Sequence, residues 1–209
     1  VPAVLLLLIA GSPFIQAEWG IVTWKALSPD DESRNGLELT DEKWPENVAN
    51  TALIVFEIES DIEPFSEEYI QNLYLFSKEI LTIDQTSYVY SYAHFDSSMS
   101  QDEVIAFWDE TDDGNMTTEE LQMLNLQRNY HKDASIGEGV VMLVVGIEGD
   151  QSSVEAREVV RNIRALESKN LQFDGEGEVH VAGIAAYNQD VLDAVAEKMP
   201  IAMAFILIS

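Results

Sequence analysis

The chain has 209 residues, 38 Asp and Glu against 11 Lys and Arg, a formal charge of −27 and a hydrophobic content of 46%. That apolar content supports a packed core. The acidic surplus excludes nucleic acid as a partner and disfavours docking on anionic lipid, because both are held through clustered cations. Cysteine is absent, so there is no disulfide framework, thiol nucleophile or Cys-ligated metal.

Residues 1–17, VPAVLLLLIAGSPFIQA, carry no charge; the first is Glu18. A full membrane span takes about 20 apolar residues, and this run is slightly shorter. Beyond Lys198 the chain reads MPIAMAFILIS, apolar to its last residue. The expectation is an acidic extracytoplasmic domain strung between the end of one transmembrane helix, residues 1–17, and a coupling helix leading into the start of a second, residues 188–209. The chain would then be part of a multi-pass protein of the cell membrane. An alternative for the first segment is a signal peptide cleaved near Ala17.

Residues 18–50 are polar and irregular, with SPDDESRNG and a Pro after Trp44, and read as a connector holding one short helix. TALIVFEIE, residues 51–59, is a β-rich apolar run ended by the acidic turn around Asp61 and Pro64. From Ser66, the residues Tyr69, Ile70, Leu73, Tyr74, Phe76, Ile80 and Leu81 recur at helical spacing. SYVYSYAHF, residues 87–95, alternates as a second strand and completes a β-α-β unit.

A second unit follows. GVVMLVVGIE, residues 139–148, is a buried-looking strand, and Ser152 with Glu155 forms a capping box for a helix to about Ser168. In that helix Val159, Val160, Ile163 and Leu166 face inward, and VHVAGIAAY, residues 179–187, gives the last strand. Two such units, each too small to hide its own sheet face, should share one sheet. The predicted fold is α+β, a duplicated β-α-β domain of the ferredoxin-like split type over residues 51–187, flanked by partial transmembrane helices. Residues 188–198, NQDVLDAVAEK, form a helix that runs into the apolar terminus, with only Pro200 to interrupt it.

Between the units lies an acidic, helix-prone insertion, residues 96–136. Ser100 and Glu103 form a capping box before VIAFW, and EELQMLNLQRNY makes a second helix. The intervening DETDDGNMTTEE, residues 109–120, fits the calcium loop of an EF-hand: Asp109, Thr111 and Asp113 at positions 1, 3 and 5, Gly114 at the turn, Asn115 offering a carbonyl at 7 and Glu120 closing at 12. Thr111 stands where Asp or Asn is usual, which removes a charge and weakens binding. The plainer reading of the same residues is a turn at Asp112-Asp113-Gly114 and a capping box between Thr117 and Glu120.

A duplicated β-α-β domain between a first and a second membrane helix resembles the porter domain of the resistance–nodulation–division (RND) superfamily. Three stretches resemble its MMPL branch: GSPFIQAEWG at 11–20, LSPDDESR at 27–34 and VAGIAAYNQDV at 181–191. The insertion at 96–136 departs from the family pattern. The resemblance implies a proton-driven exporter of lipids or other amphiphiles, partnered by a second porter domain and by further membrane helices of the same protein. The family's proton relay sits on later helices, so no relay residue is carried over.

No catalytic constellation is present, and the chain reads as a non-enzyme. His94, His131 and His180 share no ligand spacing, no Ser sits in a nucleophile elbow, and the GEG triplets at 137–139 and 175–177 are turn glycines. The aromatics Tyr88, Tyr90 and Tyr92 read as core, or as the lining of an apolar path. The rival readings are a membrane-anchored, calcium-responsive binding module and a secreted soluble α+β protein.

Overall fold

The period-2 pattern of TALIVFE builds β1 (Thr51–Glu57), whose Ala52, Ile54 and Phe56 are buried while Leu53 and Val55 on the other face are half-buried. The computed structural model describes residues 26–43, 50–58, 63–109, 116–170 and 179–208. In chain order the elements are α1 (Glu32–Lys43), β1, α2 (Glu67–Ile80), β2 (Thr86–Tyr90), α3 (Gln101–Trp108) and α4 (Thr118–Ser135). Then follow β3 (Ile136–Gly137), β4 (Val140–Ile147), α5 (Val154–Asn170), β5 (Val179–Gly183) and α6 (Ile184–Ile208). The fold is mixed α+β around one antiparallel sheet.

The sheet order is β2-β4-β1-β5, each neighbour antiparallel, with β3 hairpinned onto β4. It follows that β1 and β2 run the same way with β4 between them, and β4 and β5 run the same way with β1 between them. Each β-α-β unit is therefore split by a strand of the other, and neither can form its sheet alone. Register follows from burial: Ile54 pairs with Leu143 on one side and Val181 on the other, which aligns the apolar face across three strands.

Helices α2 and α5 close that face. Tyr69, Ile70, Leu73, Phe76 and Ile80 of α2, with Ala156, Val159, Val160 and Ile163 of α5, join Ile54, Phe56, Leu143 and Val145 in one core. Phe56 and Phe76 meet edge-to-face at 5.6 Å. Helix α2 starts where Ser66, in extended conformation, accepts from the Tyr69 N–H; Glu67 and Glu68 in its first turn and Lys78 in its last complement the dipole. The sheet's other face, with Leu53, Val55, Met142 and Val144, stays half-buried.

Several boundaries differ from the sequence expectation. The second strand ends at Tyr90 rather than residue 95, because Ser91 and His94 pair with each other in a tight turn. The last strand ends at Gly183 rather than residue 187: its φ of +115° breaks the ladder, and Ala185 and Ala186 bury themselves as the first turn of α6. The box expected between Ser152 and Glu155 is displaced. The Ser153 hydroxyl accepts the Ala156 N–H, while the N–H and hydroxyl of Ser152 donate to Asp150 Oδ1. Among the described residues no helix is long and apolar enough to cross a membrane. Residues 1–17, expected as the end of a span, lie outside the described residues.

Candidate functional site at the helical insertion

The insertion folds as α3 and α4 against the end of β2. Both expected capping boxes form: Ser100 and Glu103 start α3, and Thr117 and Glu120 start α4. Glu120 Oε2 accepts from the Thr117 backbone N–H at 2.8 Å and from its hydroxyl at 2.8 Å. These two donors hold the Glu120 carboxyl below its ordinary range, and Ser100 does the same for Glu103.

Of the calcium-loop residues, Thr111, Asp113 and Asn115 lie outside the described residues. Asp109 ends α3 as its C-cap and Glu120 is the third residue of α4, so a helix stands at each end of the loop. Among the described residues no three His, Asp or Glu side chains converge on a metal position. Glu120 carries its carboxylate into the capping box, as the plainer reading has it.

The joint between insertion and sheet is aromatic. Trp108 donates its Nε1–H to the Tyr92 carbonyl at 2.8 Å, and the buried Tyr92 hydroxyl donates to Pro64. Burial pushes the Tyr92 phenol far up, and that of Tyr69 up to about 12. The expectation that the strand aromatics are core holds for Tyr92, whereas Tyr88 and Tyr90 stay half-buried on the sheet's other face.

The three histidines sit in different surroundings. His94 is buried, with Nδ1 2.9 Å from the Val89 carbonyl and Nε2 unpartnered. His131 is caged: it stacks on Phe95 at 4.2 Å, lies edge-on to Phe107 and Tyr130, and meets the Tyr90 hydroxyl. His180 is exposed on β5, 3.7 Å from Glu57.

A cavity of about 550 Å³ opens beside this joint. Phe65 and Trp108 form one wall, with ring centres 4.6 Å apart. The α4 residues Asn125, Arg128, Asn129 and Lys132 form the other, and Asp109 sits at the end of α3. Arg128 anchors itself by donating Nε–H to the Phe107 carbonyl and Nη2–H to that of Asp109, each at 2.6 Å, which satisfies carbonyls left open at the end of α3. The sequence reading passed over these residues. A signal was present: Arg128 and Lys132 are one turn apart, and neither has an acid three or four positions away in a chain crowded with acids.

A second structural feature is the root of α6. Gly183 hands the chain from β5 to α6 without a linker, and Asn188, almost fully buried, donates to the Gln151 carbonyl at 3.2 Å. Arg164 of α5 grips both carboxylate oxygens of Asp190, at 2.7 and 3.2 Å. The far end differs: Ile201, Met203 and Phe205 are exposed, at 72%, 50% and 74%. The sequence matches no known family profile and no curated protein.

Proposed function

We propose that this chain is the extracytoplasmic porter domain of an exporter of the MMPL branch of the RND superfamily, which moves lipids or other amphiphiles at the expense of a proton gradient. The observation that carries the reading is the junction at Gly183. A sheet strand becomes α6 with no linker, the root of that helix is clamped by Asn188 and by the Arg164–Asp190 pair, and towards its end Ile201, Met203 and Phe205 are exposed. Such an element transmits displacement between a membrane and a sheet, because nothing along it absorbs the motion except Pro200, which removes one helical hydrogen bond.

The strand order agrees with a ferredoxin-like split β-α-β domain, the arrangement that the resemblance implies. Residues 199–208 rise about 15 Å as helix, roughly half of a hydrocarbon core of about 30 Å, so this stretch would enter the bilayer as the start of a span. The half-buried face with Leu53, Val55, Met142 and Val144 is where a second porter domain would pack.

Two measurements test this reading. The chain is expected to float with phosphatidylcholine vesicles in a density gradient, and a version limited to residues 18–197, without either apolar end, is expected to remain at the bottom; equal behaviour of the two removes the membrane role. In cells expressing the full-length protein, a Gly/Ser insertion after Lys198 is expected to abolish export of an amphiphilic dye such as Nile red. Export at the uninserted rate would show that α6 is not the coupling element.

A second reading, a calcium-responsive binding module anchored to the membrane, is favoured by one observation: α3 and α4 flank residues 109–120 in the order that an EF-hand requires.

A further inference from the structure

We propose that the cavity between Phe65, α3 and α4 is a binding site for small planar organic carboxylates. The inference is independent of the membrane reading above, because it uses only residues around the insertion.

Charge is the first argument. In a chain of −27, cations are expected to be claimed by carboxylates, and Arg34, Arg161 and Arg164 each pair with one. Among the described residues Arg128 and Lys132 pair with none. Arg128 spends two of its five N–H groups on the Phe107 and Asp109 carbonyls, which fixes the guanidinium plane and leaves three donors. Lys132, one turn on, holds its Nζ 5.6 Å from the centre of the Phe65 ring. A carboxylate accepts from the two cations together, and the guanidinium edge suits it geometrically.

Shape is the second argument. Trp108 is locked by its bond to the Tyr92 carbonyl and tilted 40° to Phe65, so the wall opposite the cations is a fixed aromatic surface. Trp108 is almost fully buried and Phe65 half-buried, so a flat apolar body meets this wall through Phe65, while the amides of Asn125 and Asn129, also one turn apart, offer donors and acceptors at the rim. The volume of about 550 Å³ falls among small-molecule sites of roughly 300–1,000 Å³. Among the described lining residues, two cations stand with one carboxylate, that of Asp109, and the apolar wall opposite them gives an aryl carboxylate contacts that inorganic phosphate lacks.

The test is calorimetric titration of the full 209-residue chain with 2-naphthoate. Saturable binding is expected. The uncharged 2-naphthamide should bind about tenfold more weakly for want of the charge-assisted bonds, and Lys132→Gln should weaken 2-naphthoate at least about fivefold. Inorganic phosphate at equal concentration should not displace it. Lys132 is chosen because it makes no structural hydrogen bond, whereas Arg128 also caps α3. The comparison of 2-naphthoate with 2-naphthamide needs no variant at all. No saturable heat, equal affinity for the amide, an unchanged Lys132→Gln variant or displacement by phosphate would each overturn the proposal.

Discussion

The Tyr90 hydroxyl lies 2.9 Å from Nδ1 of His131, a hydrogen bond between positions 41 apart that ties the sheet to the insertion. Burial lowers the His131 pKa below its ordinary 6.5. The native state then binds fewer protons than the unfolded chain, so stability falls as pH drops through 6.5, and the loss stops growing once pH passes the folded-state value. Thermal midpoints from about pH 8 to about pH 5 are expected to fall more steeply for the wild type than for His131→Gln. Parallel curves would refute this. The carboxyls of Glu103, Glu120 and Asp96, all held low by hydrogen bonds, act in the same direction only below about pH 4.5, so the two windows are separable.

Ile54 and Leu143 face each other across β1 and β4, both fully buried beneath α2 and α5. Leu143→Ala removes apolar area and leaves a cavity that a strand paired on both sides cannot collapse. The expected loss is about 2–5 kcal/mol in urea unfolding. A loss under about 1 kcal/mol would mean that this face is not the main core.

Gly183 has φ +115°, and a Cβ there would lie 2.5 Å from the Thr51 carbonyl oxygen. Gly183→Ala is expected to cost about 1–3 kcal/mol and to loosen the root of α6, detected as faster amide exchange at Ala185 and Ala186. Gly139, at φ +72°, has open space around its Cβ position and serves as the control. Its substitution by Ala carries only the left-handed backbone penalty of about 1–2 kcal/mol and should leave α6 exchange unchanged.

Glu120 has a place in both readings of residues 109–120. As the partner of Thr117, it makes Thr117→Ala cost about 1 kcal/mol with or without calcium. As a ligand, it makes millimolar calcium raise the thermal midpoint of the wild type and not of Glu120→Gln, because an ion bound only by the native state stabilises it. A wild-type midpoint unmoved by calcium would leave the cap as the whole role of Glu120.

The elements follow from local pattern. Side-chain period is a local property, so the alternation of TALIVFE, the helical spacing from Tyr69 to Ile80 and the boxes at Ser100 and Thr117 were legible one window at a time. The sequence also showed that two β-α-β units needed a common sheet. Tertiary structure decided which strand lies beside which, since β1 meets β4 and β5 through contacts far apart in sequence, chosen by the match of whole faces. It decided the end of β5, where a close approach to Thr51 demands glycine, and the shift from Ser152 to Ser153, where Asp150 competed for a hydroxyl. The cavity lay beyond sequence reasoning for the same reason. Phe65, Trp108 and Lys132 stand on three separate segments, and only the packing of α3 and α4 against the end of the sheet brings Arg128 and Lys132 to face an aromatic wall.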